Sequence, residues 1–462
     1  MSINVDEWGS RGSERLEEES GRAERAQRSL RRVPLGVRVA VAIVVIGLVP
    51  IAVHSTYIVQ VGINALLMAL LAMGLNVVAG WAGLLDLGYV AFYGFGAYVY
   101  ALLSSNQVGI HLPGLATILI ALVAAAGLGT LVGLPSIRLV GDYLAIVTLF
   151  FGQAFVQFVT NVDRGVTGGP GGITGVQPLR LLGLHFTSVQ DYYYLLLGVV
   201  VVVAGLLHNL NRARLGRAWR ALREDPVAAE VMGVPVSRVK LLAFGVGAAI
   251  AGLTGTVFAA VEYGAYPTSF GPDYLIMVYA VVVLGGTGKL SGVLVAAGVI
   301  IAVPEVLRSP EVSTYLFYIL VAAAIVGWLR PWRRMLGVLG GAVAVGFVVR
   351  AVVGAAAASA IANLGALGAF GRLWMVDLAR PGVVADVAFI VLVASVLAVP
   401  RLRGLARTLG EAGLVYLAAF VWENLLVLQP SVTRQLFLGA LLIVAMNLRP
   451  QGLLGEARVE VV

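Results

Sequence analysis

About fourteen stretches of this chain are apolar for long enough to cross a lipid bilayer as helices, and that pattern constrains the fold more than any other feature. A bilayer core of about 30 Å takes roughly 20 helical residues. Backbone groups left unpaired in lipid are costly, so a spanning segment is a helix or a strand of a closed barrel. The runs here are long and continuous, not ten-residue alternations, which favours helices over a barrel. Candidate spans lie near 38–55, 59–80, 87–104, 114–135, 143–161, 193–209, 240–263, 275–290, 291–308, 314–330, 335–355, 383–400, 412–428 and 432–448. The expected fold class is all-α, a polytopic helical membrane protein of about 12–14 transmembrane helices.

Composition agrees. Of 462 residues, 60% are hydrophobic and 12% charged, against roughly 45–50% and about 25% in a soluble domain. So little polar surface cannot clothe a soluble enzyme, and the same figures exclude intrinsic disorder. The net charge of +8 sits in short segments between apolar runs, so it is assigned to the positive-inside bias and not to nucleic acid. With no cysteine, disulfides and thiolate metal sites are excluded.

The charges also divide the chain. Glu17, Glu18 and Glu19, then Arg28, Arg31 and Arg32, mark residues 1–35 as a charged cytoplasmic tail rather than a cleavable signal. Basic clusters follow four spans: Arg212, Arg214, Arg217, Arg220, Arg223, Arg238 and Lys240; Arg330, Arg333 and Arg334; Arg401, Arg403 and Arg407; and Arg449. With both termini in the cytoplasm, all four clusters fall inside. The near-neutral 162–192 loop falls outside, and Arg372 and Arg380 are the discordant patch. The expected organisation is the tail, a core over 36–334 with a cytoplasmic loop at 209–240, extra helices over 335–429, and a last span and tail over 430–462. Residues 310–331 and 430–450 echo each other, each running from a proline through Leu-Phe to Leu-Arg-Pro. Either any last span with a basic exit looks like this, or a terminal unit is duplicated.

Catalytic constellations are missing. His54, His111, His185 and His208 are scattered, with no metal-ligand spacing and no carboxylate pair beside them. VVVLGGTGKLSG (281–292) imitates a phosphate-binding loop and fails it: Val283 stands where a glycine is required, and Leu290 follows Lys289 instead of Ser or Thr. It reads as a helix break, giving two short helices or one broken element. The glycines at 168–172 around Pro170 make a turn with no strand before them. Glu262, Glu305 and Glu423 lie near span ends, and Arg350 reads as a snorkelling side chain. The chain is expected to be neither an enzyme nor a holder of a metal or cofactor.

Two stretches carry the functional reading. In 209–240, Asp225 is placed to cap a short helix over Pro226–Met232, with proline at its first position and Gly233 ending it. Ala228 and Ala229 offer a small surface for close approach, Glu224, Asp225 and Glu230 offer acceptors to a partner's Arg or Lys, and Ser237 is placed to cap the next span. The plainer reading is a basic loop that only sets topology. In 65–103, glycines between Gly80 and Gly88 can break a helix inside the membrane, where transporters expose backbone to cargo. Asn76 and Asp86 are polar groups at or near membrane depth, and an ionisable residue there is a functional candidate by default. The competing reading puts Asp86 at an interface beside a turn.

At these residues the chain resembles permeases of bacterial ATP-binding cassette importers of the branched-chain amino acid (leucine/isoleucine/valine) type. The resemblance rests on ordered blocks: LNVVAGWAGLLDLGYVAFYGFGAY, IRLVGDYLAIVTLFFG, TGGPGGI, RAWRALREDPVAAEVMGVPVSRVKLLAF, AVVVLGGTGKLSGVLVAAGVI and the tail LRPQGLLG. They cover roughly 60–308 and the last twenty residues. The resemblance implies that Glu224, Asp225, Ala228, Ala229, Glu230 and Gly233 form a coupling loop docking on an ATPase. It implies two cytoplasmic ATPase subunits that bind the ATP, a second permease subunit, an extracytoplasmic substrate-binding protein, and a place in the bacterial inner membrane. The chain departs from the family at Asp86 and Tyr89, where a small polar residue and then a histidine are usual, which adds amides and urea to the cargo expected. Asn76, Gly80, Gly83, Asp86, Gly88, Tyr89, Asp142 and Tyr143 are the pathway candidates. The alternative function is an ion-coupled secondary transporter, for which Asp86 and Glu262 are the tempting carboxylates. A multi-pass membrane enzyme is the third class, disfavoured by the missing catalytic cluster.

Overall fold

The computed structural model describes residues 35–453, except 54, 106–108, 110–111, 138, 140, 163, 182, 329–331, 358–373, 377, 379–381 and 449–450. The expected charged tail before residue 35, the discordant Arg372 and Arg380, and the end of the C-terminal tail lie outside the described residues. Among the described residues, nine helices are long and apolar enough to cross a membrane, and five further apolar helices are shorter. Together they correspond one for one to the candidate spans.

The chain divides into two compact units, Met1–Leu275 and Ile276–Val462. The first contains α1 (Leu35–Ala52), α2 (Thr56–Leu75, continued by π-helical Asn76–Trp81), α3 (Tyr89–Ser104), α4 (Gly114–Gly133), α5 (Asp142–Asn161) and α6 (Val189–Arg212). These are followed by α7 (Arg214–Glu224), α8 (Pro226–Val231), α9 (Val236–Val261) and the start of α10 (Pro272–Gly285). Helix α9 is the centre, packed against α2, α3 and α4. Small residues allow this. A Cβ added at Gly96 would lie 2.2 Å from the Gly252 carbonyl oxygen, and one at Gly255 would lie 1.9 Å from that of Tyr93. Backbones that close gain dispersion contacts, which replace the hydrophobic drive that lipid cannot supply.

The two ends of this bundle differ. At one end, Ser105 bridges Val176, and the two-residue strands Ile173–Thr174 and Gly264–Ala265 pair antiparallel. At the other, Gly133 packs on Phe244, and α7 lies across the ends of α2 and α9. The N-terminus of α6 carries a capping box, Ser188 accepting from the Asp191 amide at 3.1 Å and Asp191 accepting from the Ser188 amide at 2.9 Å.

The second unit holds the rest of α10, α11 (Leu290–Val306), α12 (Pro310–Trp328), α13 (Trp332–Ala357), α14 (Gly382–Ala398), α15 (Gly404–Val421, continued by π-helical Trp422–Leu426) and α16 (Pro430–Leu448). The 281–292 segment is two helices joined by a turn at 286–289, the first of the two readings its glycines left open. Trp422 stacks on Phe317 at 4.4 Å, and Glu423 accepts from Tyr318 at 3.1 Å. Glu411 holds Arg334 at 2.5 Å and Arg407 at 3.0 Å. Arg350, read as a snorkelling side chain, is half-buried and donates to the Met375 carbonyl at 2.5 Å.

Candidate functional site

The short helix of the 209–240 loop forms as its sequence dictates. The Asp225 carboxylate accepts from the Val227 amide at 2.8 Å and the Ala228 amide at 3.1 Å, Pro226 occupies the first position, and Gly233 turns left-handed at φ +82. The helix ends at Val231, one residue before the predicted end. Glu224, Ala228, Glu230 and Gly233 are exposed. Ala229 is buried, which corrects its place on the outward surface. It sits half a turn away from Val227 and Val231, so it faces α7 and α9 instead. The surface offered outward is apolar: Val227 is 71% exposed, and Val231 and Met232 are each 82% exposed. Ser237 does not cap the next helix. That helix begins at Val236 with Pro235 before it, leaving Ser237 inside the first turn.

Helix α7 ties this element to the broken segment. Trp219 is fully buried, donates from Nε1 to the Val239 carbonyl at 2.9 Å, and stacks on Trp81 at 6.0 Å. Arg223 donates to the Gly80 carbonyl, and a Cβ at Gly83 would lie 2.9 Å from the Arg223 Cγ. The predicted break in the helix is real. Asn76–Trp81 is π-helical, residues 83–86 are irregular, and α3 begins only at Tyr89. π-helical turns occur often at functional sites because they widen the backbone.

Six of the pathway candidates lie on this segment. Asn76 and Asp86 are buried. Asp86 stands beside the turn at 87–88. Its Oδ1 accepts from the Gly88 amide at 3.0 Å, the amide just before α3. Gly88 touches α5, where a Cβ would come 2.2 Å from the Thr148 carbonyl oxygen. The Leu87 amide donates to the Thr148 hydroxyl at 2.9 Å. Tyr89 donates to the Gly247 carbonyl at 3.1 Å, joining the segment to α9. Asp142 and Tyr143 do not join the group. They are exposed at the start of α5, and it is Thr148 and Gly152 of that helix that meet Gly88.

Sequence reasoning missed Trp81, Trp219 and Arg223. A tryptophan in each of the two segments was the available signal, but nothing in the chain order pairs them. It also missed an aromatic cluster on the far side of α3, where Phe270 packs on Tyr93 at 5.3 Å, Tyr98 at 6.0 Å, Phe155 at 6.4 Å and Phe258 at 5.9 Å.

Comparison with known proteins adds the following. Residues 57–329 match the family described as the permease component of the branched-chain amino acid transport system. The high-affinity branched-chain amino acid transport system permease protein LivM of Escherichia coli (strain K12) is 40% identical over 265 residues, which are 52% of this chain and 61% of that relative. The protein of the same name from Salmonella typhimurium is 38% identical over 276 residues, 54% of this chain and 63% of that relative. More distantly, the ribose import permease protein RbsC of E. coli is 30% identical over 136 residues, 28% of this chain and 41% of that relative. The chain thus spans less than two thirds of the length of these relatives. No solved structure matches.

Proposed function

Because this chain belongs to the branched-chain amino acid transport permease family, we propose that it is a membrane-spanning permease subunit of an ATP-driven importer carrying branched-chain amino acids or related small polar solutes. Its proposed home is the bacterial inner membrane, with both termini and the α7–α8 end in the cytoplasm, as the arginines of 212–223 favour. Two cytoplasmic ATPase subunits bind the ATP, a second permease subunit completes the route, and an extracytoplasmic binding protein delivers cargo.

One observation carries this reading: an outward apolar helix end mechanically joined to a broken transmembrane helix. Val227, Val231 and Met232 present a surface that buries on a partner. Glu224, Asp225 and Glu230 surround it with charge that fixes orientation, as rim charges do. When the ATPases close, α8 moves with them. The Trp219–Trp81 stack and the Arg223–Gly80 bond pass that motion to residues 76–88. Gly80, Gly83 and Gly88 let that segment change backbone shape, and Asn76 and Asp86 supply polar groups where a zwitterion is costly to hold.

The test is co-purification with the candidate ATPase subunits. Wild type binds, and Val231→Asp with Met232→Glu lowers binding about tenfold while the permease stays folded. Failure of every ATPase to bind, with leucine uptake that follows a proton or sodium gradient, would overturn the importer reading.

A further inference from the structure

Most outward helix faces of the first unit are what lipid requires. On α6, Val202 and Leu206 are 60% and 63% exposed, and on α1 the exposed side is Val41, Val44, Val45, Leu48 and Ile51. Helix α5 differs. It is one of the spans with little of its surface covered, yet Gln153 and Gln157 are both exposed on it. Gln157 has a partner, since Asn161 donates to its side-chain oxygen at 3.0 Å. Gln153 accepts and donates no hydrogen bond among the described residues. It lies eleven residues from the start of α5 and eight from its end, about 16 Å and about 12 Å along the axis, so it stands near the middle of the hydrocarbon. An exposed, unsatisfied carboxamide is costly in lipid at that depth.

The next residue back shows what the other side of α5 does. Gly152 packs on the broken segment, where an added Cβ would lie 3.2 Å from the Gly88 Cα. Gln153 thus stands at the edge of a crevice formed by Gly88, Leu149, Gly152, Phe270 and Pro272. That crevice is only about 10 Å³, room for one water at most, so an amino acid does not fit in it as it stands.

We infer that the Gln153 face of α5 borders the water-filled solute route rather than lipid, and that the Gln153 carboxamide contacts the polar groups of the amino-acid cargo as the crevice opens. The inference rests on the transport reading for its cargo, and on burial and depth alone for its water. A carboxamide suits a zwitterion: it donates to a carboxylate and accepts from an ammonium without adding charge at mid-membrane.

The chain has no cysteine, so Gln153→Cys gives it a single thiol. In membrane vesicles holding the complete transporter, a charged, membrane-impermeant methanethiosulfonate is expected to modify Gln153→Cys at least about tenfold faster than Val202→Cys on the apolar face of α6. L-leucine is expected to slow the reaction. Gln153→Leu is expected to raise the leucine KM several-fold, with Gln153→Asn restoring part of it. Equal modification rates at the two positions overturn the water-lined route. Fast modification that leucine does not slow, with an unchanged KM in Gln153→Leu, overturns the cargo contact. Labelling needs no uptake, so if Gln153→Cys labels faster than Val202→Cys while the wild-type transporter moves no leucine, the transport reading falls and the water-lined face stands.

Discussion

Helix α9 and helix α14 are both apolar enough to cross a membrane, yet 61% of the spanning window of α9 is buried within the protein and only 6% of that of α14. Mean hydropathy does not separate two such roles. Small residues do, once their neighbours are known. Helix α9 brings Gly247, Gly252 and Gly255 against the backbones and small side chains of other helices. Helix α14 shows Val383, Val387, Ile390, Val393 and Leu397 outward. The central helices meet backbone to backbone, Gly96 against Gly252 and Gly255 against Tyr93. The helices of 335–429, which lie beyond the family match, carry their specific bonds at a few polar points instead.

The sharpest way to break this contrast is to place one substitution in each region. Gly96→Leu sets side-chain carbon into the Gly252 backbone, which cannot withdraw, and should abolish the cooperative thermal transition in detergent. Gly340→Leu on α13 meets open space and should leave the melt within about 0.5 kcal/mol of wild type. Equal tolerance at both sites would sink the claim that close packing defines the core.

Trp219→Ala comes next. It removes a buried indole, its stack on Trp81 and its bond to Val239, for a loss of about 3–5 kcal/mol. In the assembled transporter, ATP hydrolysis should persist while leucine uptake falls. Uptake retained alongside hydrolysis would remove the proposed force path.

In the second region, Glu411→Gln leaves Arg334 and Arg407 with a neutral acceptor. The expected cost is about 1–3 kcal/mol, seen as faster proteolysis of 335–429, with uptake unchanged. Lost uptake would show that these helices take part in transport.

A smaller loss belongs to Asp225→Ala. Two amides at the start of α8 lose their acceptor, at about 1 kcal/mol, and ATPase binding should weaken modestly. Asp225→Ser, which keeps a capping oxygen, should bind nearly as wild type.

The reading of the sequence went furthest where the cause is local. Each span was legible because hydropathy accumulates along consecutive residues. So was the short helix at Asp225-Pro226, because a cap and its amides lie within three positions. The break at Gly80–Gly88 was legible for the same reason. Errors came where a residue's direction matters. Ala229 and Met232 are both plausible surface residues on a short helix, and only the packing of α7 and α9 turns one inward and the other out. Arg350 looks like any arginine near a helix end, and its partner at Met375 is 25 positions along the chain. Asp142 and Tyr143 were grouped with the broken segment because they open a helix that does approach it, but the approach is made one and a half turns later, at Thr148.

The sequence by itself determined that the chain is a bundle of membrane helices, roughly where each span runs, and which loop carries the capped helix at Asp225, though it did not show the helix Arg214–Glu224 just before it. Those follow from the cost of unpaired backbone in lipid and from capping, both of which act between near neighbours in the chain. Only the tertiary structure decided which glycines are contact points, that Trp219 meets Trp81, and that Gln153 stands uncovered midway along α5. In a bilayer, apolar character no longer distinguishes inside from outside, because lipid tails are as apolar as leucine. Shape complementarity between helices makes that distinction, and it exists only when both surfaces are present.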